Sequence, residues 1–152
     1  MAESLHIPLA NLRFQVAALP MRHGKDGSPR VLLITSRETG RWVIPKGWPM
    51  KGRKFYEAAA REAFEEAGIL GDVGKEPLGS YLYHKRQKAG FELCEVTVYL
   101  LSFEHQRKVW PEKGQRHTAW FSVSEAAIRV HEPGLSAIIR SLSPTLPAAE
   151  DL

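Results

Sequence analysis

The chain has 152 residues, 43% of them hydrophobic, the usual size and composition for one compact domain with a real core. Lys and Arg outnumber Asp and Glu by 21 to 17, and the resulting charge of +4 favours an anionic partner without separating a phosphorylated metabolite from nucleic acid. No stretch approaches the roughly 20 apolar residues that span a bilayer, residues 1–12 carry no secretory pattern, and the single Cys94 excludes an intrachain disulfide, so membrane and disulfide-scaffold classes are set aside and a cytoplasmic location is expected.

Residues 14–19 and 31–36 are short apolar runs separated by a Gly- and Pro-containing turn, and they predict two strands. A third strand is expected at 41–44, stopped by Pro45 and Gly47, with an irregular loop to Gly52. Residues 55–67 are rich in Ala and Glu and free of Pro and Gly, so they predict a helix that ends at Gly68. Strands follow at 78–83 and 91–103, with the basic segment 84–88 between them. Ser122 or Ser124 suits the cap of a helix running to about Val130, and residues 135–142 have helical apolar spacing after Pro133-Gly134. Cys94 sits in a β-like apolar context and reads as a packed core residue. The expected class is α/β or α+β: a mixed sheet sandwiched by helices, in a single domain over 1–152 with loose ends at about 1–11 and 143–152.

At about 100° per residue, Glu62, Glu65 and Glu66 fall on one side of the long helix, opposite Tyr56, Ala60, Ala63, Phe64 and Ala67. Like charges at this spacing repel by a few tenths of a kcal/mol per pair, so a cation makes better sense of them than a bare acidic face. Hard oxygen ligands point to Mg2+ or Mn2+. His84, His105 and His117 have no zinc-like spacing.

The ordered pattern from Gly47 through Arg61-Glu62, Glu65-Glu66 and Gly68-Ile69 resembles the Nudix box: a glycine, five residues, Glu, seven residues, then Arg-Glu-apolar-x-Glu-Glu-x-Gly-apolar. One position departs, because Arg53 stands where the family has its first Glu, a residue that usually braces the box arginine. Glu57 precedes Arg61 by one helical turn and is expected to brace it instead. Further similarity at residues 34–37, 42–47, 110–112 and 119–122 extends over roughly residues 12–142, toward the branch that hydrolyses diphosphoinositol polyphosphates and diadenosine polyphosphates.

The resemblance implies cleavage of a diphosphate linkage in a small anionic phosphorylated substrate, with Glu62, Glu65, Glu66 and the Gly47 carbonyl on metal and Glu112 as a loop general base. Lys46, Arg53, Arg37 and Trp48 are the expected substrate contacts; Trp48 is singled out because a loop gives it no periodic reason to be buried. Two other readings stay open: a nucleotide-sensing module without catalysis, suggested by Arg53, and an RNA 5′-end pyrophosphohydrolase, for which no RNA-binding motif speaks. Nothing in the pattern sets an oligomeric state.

Overall fold

The computed structural model describes residues 12–87 and 90–142. The segments expected to be loose, and Lys88, lie outside the described residues. Among the described residues, eight strands form one mixed sheet: β1 (Arg13–His23), β2 (Pro29–Thr35), β3 (Trp42–Val43), β4 (Lys46–Gly47), β5 (Ile69–Val73), β6 (Gly79–Gln87), β7 (Gly90–Gln106) and β8 (Thr118–Ser122). Three helices accompany them: α1 (Phe55–Ala67), α2 (Val123–Arg129) and α3 (Pro133–Arg140). Their arrangement is the expected α/β/α sandwich.

β1 is the organising strand. It pairs in parallel with β7 from Arg13↔Cys94 to Met21↔Ser102, and antiparallel with β2 and β4. Both of its faces are covered, so residues 16–19 are continuously apolar rather than alternating. Val16 and Ala18 face α1 in a cluster with Leu32, Ile34, Ala58, Ala59 and Ala63. Ala17 and Leu19 face the other way, onto a cluster with Val96, Ala126, Leu135 and Ile139 from β7, α2 and α3. The alanines of α1 let its backbone approach the sheet closely.

Several boundaries differ from expectation. The presumed loop after Ile44 contains β4, whose register Val16↔Gly47 and Ala17↔Lys46 fastens it to β1. A two-residue pairing of this kind leaves no periodicity to read. β6 and β7 run through the basic segment as a hairpin, because pairing such as Lys85↔Glu92 needs backbone partners and not burial. β5 and β8 were not expected: one is broken by Gly71-Asp72, the other is half-buried throughout, and neither alternates. Ser122, not Ser124, caps α2 by accepting from the Glu125 N–H at 3.2 Å.

The core-facing stripe of α1 is also rotated from the expected one. Its buried residues are Ala58, Ala59, Ala63, Glu66 and Ala67, while Tyr56, Ala60 and Phe64 are only partly covered. Glu66 therefore lies inside the buried stripe, and Glu62 and Glu65 are half-buried. The helix stops at Gly68, with φ at 71°, and the Trp110 ring packs where a Cβ would stand. Loop 107–117 returns over this helix end, with Arg107 donating from its N–H to the Gly68 carbonyl at 2.9 Å and Glu112 to the Glu65 carbonyl at 3.0 Å. Carbonyls left open at the helix end thereby gain partners, and a distant loop is brought to the carboxylates.

Candidate active site

β4 carries Gly47 to the flank of α1, where the Glu62 carboxyl occupies the space that any Cβ at position 47 would need. A side chain there would push the carboxyl aside. Beside it, Glu66 is 8% exposed and accepts from the Lys46 backbone N–H at 3.3 Å. Burial pushes the Glu62 carboxyl up to about 8, with the negative charges of Glu66 and Glu65 acting in the same sense. Burial raises Glu66 too, opposed chiefly by the Arg116 guanidinium. Without a cation, two carboxyl groups share a space in which both cannot comfortably ionise.

Arg116 ties the site to the returning loop. Its Nη2 lies 3.5 Å from Glu66 and 3.1 Å from Glu112, and its Nη1 donates to the Thr35 carbonyl at 3.2 Å. Arg37 donates to Gln115 at 2.8 Å and stands 3.9 Å from Glu112. A cavity of about 270 Å³ opens between these elements; Glu62, Glu66 and Gly47 form one wall, and Lys46, Lys85 and Arg37 contribute cations around it. Lys46 is held below its ordinary value by burial, against the attraction of Glu66. Trp48 lies at the same cavity, 38% exposed, with the Arg13 guanidinium 4.6 Å from its ring centre.

A model of the NUDIX domain matches residues 12–142. The chain belongs to the Nudix family. It is 34% identical to "Nudix hydrolase 21, chloroplastic" of Arabidopsis thaliana over 77% of its own length and 59% of that protein's, so it spans well under two thirds of that relative. It is 30% identical to "Diphosphoinositol polyphosphate phosphohydrolase 3-beta" of Bos taurus, over 68% of this chain and 62% of the other. Among solved structures, an Ap4A hydrolase from C. elegans superposes with a TM-score of 0.62 at 18% identity, covering 84% of this chain and 93% of that one; at that identity the likeness is one of fold.

Against the Nudix box, the departure at Arg53 has a visible structural counterpart. Arg53, an expected substrate contact, lies exposed in the turn before α1 and is not among the residues that line the cavity. Glu57 does not brace Arg61 either: its carboxylate accepts the Lys54 N–H at 2.8 Å and caps the helix. Arg61 turns instead to Glu65, with Nε 2.8 Å from its carboxylate. The expected gathering of three carboxylates is thus reduced to two. Among the described residues no three Asp, Glu, His or Cys groups are arranged to hold a metal. Glu62 and Glu66 converge, while Glu65 is drawn to Arg61 and Glu112 to Arg116.

Nudix hydrolases generally use divalent metal ions, and the donor set fits one. Two crowded carboxyl groups, one favouring its proton into the neutral range, stand against a glycine backbone whose missing Cβ makes their approach possible. A hard cation would supply the counter-charge. Of the expected substrate contacts, Lys46, Arg37 and Trp48 line the cavity. Arg116 and Gln15 were missed by sequence reasoning. Arg116 reaches the site only because β8 pairs with β2, Ile34↔Thr118, and no local pattern announces that.

Proposed function

We propose that the chain hydrolyses a phosphoanhydride linkage in a small polyphosphorylated substrate, by water attack on phosphorus assisted by Mg2+ or Mn2+. The observation that carries this reading is the Glu62–Glu66 pair against Gly47, opening on a cavity with Lys46, Lys85 and Arg37 around it. Glu62, Glu66, the Gly47 carbonyl and, once released from Arg61, Glu65 would hold the cation. When bound, it neutralises phosphate charge and makes water a better nucleophile. Glu112, tethered beside Glu66 by Arg116, is the proposed base for that water. Lys46 and Arg37 take the phosphates, and Trp48 forms part of the rim.

The diphosphoinositol polyphosphates rank first as substrate class, ahead of diadenosine polyphosphates and other nucleoside diphosphate derivatives. Two facts support the order: the bovine relative bears that activity in its name, and the Arg13 guanidinium already occupies one face of Trp48, leaving less aromatic surface for a base to stack on. The test is a substrate panel of diphosphoinositol phosphates, diadenosine polyphosphates, ADP-ribose, nucleoside triphosphates and triphosphorylated RNA, each with either metal and with chelator. Turnover led by the inositol compounds and abolished by chelation is expected. Binding without turnover of any member would favour a sensing domain, and undiminished rates in chelator would overturn the metal role.

A further inference from the structure

The cavity that holds the carboxylates is also lined by the end of a short polar chain that metal chemistry leaves unexplained. Gln15 lies within β1 and is 4% exposed. A side-chain amide so buried must place both its oxygen and its nitrogen, since an unpaired polar group away from water is costly. Its Oε1 accepts from the Tyr83 hydroxyl at 2.7 Å. A hydroxyl has one proton, and since Tyr83 gives it to Gln15, toward the neighbouring Cys94 thiol, which burial keeps protonated, it acts as an acceptor. The orientation of the amide follows. No hydrogen bond from its Nε2 is found among the described residues, where Trp110 Nε1 is the one fully enclosed polar side-chain atom without a partner, so Nε2 keeps contact with solvent, and Gln15 lines the cavity together with Lys46 and Lys85. The Lys46 ammonium lies 4.6 Å from the centre of the Tyr83 ring, so the tyrosine holds cation and amide in one patch.

We infer that Gln15 is a specificity-determining residue whose amide N–H groups donate to a non-bridging phosphate oxygen of the substrate, and that Tyr83 is the positioning residue that aims them. The inference rests on the polyphosphate reading above. Between two cations an amide donor adds direction that an ammonium lacks, because its two N–H bonds lie in a plane fixed by the tyrosine. A ligand that displaces water from that point without offering an acceptor leaves the donor unpaired, which is how such sites reject near neighbours.

The experiment uses inorganic tripolyphosphate with Mg2+ as the probe, binding measured by calorimetry on the full chain, beside hydrolysis of the best panel substrate. Gln15→Met keeps the length and charge but removes the donor, and should weaken tripolyphosphate binding about tenfold and raise KM similarly with kcat nearly unchanged. Gln15→Glu keeps the acceptor for Tyr83, replaces the donor with an anion, and should be weaker still. Tyr83→Phe should cost a few-fold in KM alone, and nothing further in the Gln15→Met background. Melting curves of all variants identify any that fail to fold, and Gln15→Glu retains the buried hydrogen bond should Gln15→Met prove unstable. Wild-type binding with Gln15→Met and Gln15→Glu both within twofold of it overturns the inference, as does a wild-type chain that does not bind the probe. A chain that binds tripolyphosphate through Gln15 yet hydrolyses nothing in the panel loses only the hydrolase reading.

Discussion

Removing the metal should make stability fall with pH in a way that one residue controls. In the metal-free protein the Glu62 carboxyl titrates near 8 rather than at its ordinary value of 4.5, mainly because burial and the neighbouring Glu66 disfavour its anion. For a carboxyl raised on folding, the stabilising contribution is complete below about pH 4.5 and is lost as pH climbs through about 8. At about 1.36 kcal/mol per pH unit the ceiling is about 5 kcal/mol, but Glu62 is only half-buried and screening by solvent brings it to roughly 1–2 kcal/mol. In a domain of this size that corresponds to about 3–8 °C in Tm. Melting curves in chelator at pH 5 and pH 8.5 should show the decline, Mg2+ at pH 8.5 should reverse it, and Glu62→Gln should flatten it. The lowered Lys46 is present in both proteins, and the raised Glu66 keeps a shallower decline in Glu62→Gln, so the difference between the two slopes is the part that Glu62 contributes. A Glu62→Gln variant that loses stability with pH as steeply as the wild type would refute the reasoning.

Glu66→Gln keeps an acceptor for the Lys46 N–H but removes a ligand charge, so kcat should drop by roughly tenfold to a hundredfold with the fold intact by circular dichroism; a wild-type rate would make Glu66 merely a packed residue. Gly47→Ala places a methyl against the carboxyl end of Glu62, which can swing aside, so denaturant melts should change by less than about 1 kcal/mol while most of the activity goes with the displaced carboxylate; a normal rate would mean that the position of Glu62 against Gly47 does not matter. Arg53→Ala should leave KM within about twofold because Arg53 does not line the cavity, and a large KM increase confined to heavily phosphorylated substrates would restore it as a contact. Arg53→Glu, the family residue, should release Glu65 from Arg61 and lower the Mg2+ concentration needed for half-maximal rate; an unchanged metal requirement would show that Arg61 keeps Glu65 regardless.

What could be read in the sequence was what local composition determines. The long helix, its stop at Gly68 and the strands of β1, β2 and β7 follow from runs of residues whose propensities agree with their neighbours. β4 could not be read, since its two residues are strand only because Val16 and Ala17 lie alongside. The rotation of α1 escaped as well. A helical wheel counts alanines and glutamates, but it does not know that the sheet contacts the helix through Ala58, Ala59 and Ala63 and so draws Glu66 inward.

The site shows the same division between residues that a spacing can announce and residues that only packing can deliver. Glu62, Glu66 and Gly47 meet because a glycine opposite a helix is a local geometric requirement, and a fixed interval in the chain suffices to express it. Arg116, Gln15 and Tyr83 come from three other strands or loops and acquire meaning through β2–β8, β1–β7 and β6–β7 pairing. The departure at position 53 joins the two kinds. With no acid there, Arg61 takes Glu65 as its partner, and any cation entering beside Glu62 must compete with a guanidinium for that carboxylate. Since an exposed pair of this kind is worth less than about 1 kcal/mol, the competition adjusts how much metal is needed and leaves the chemistry available once the metal is bound.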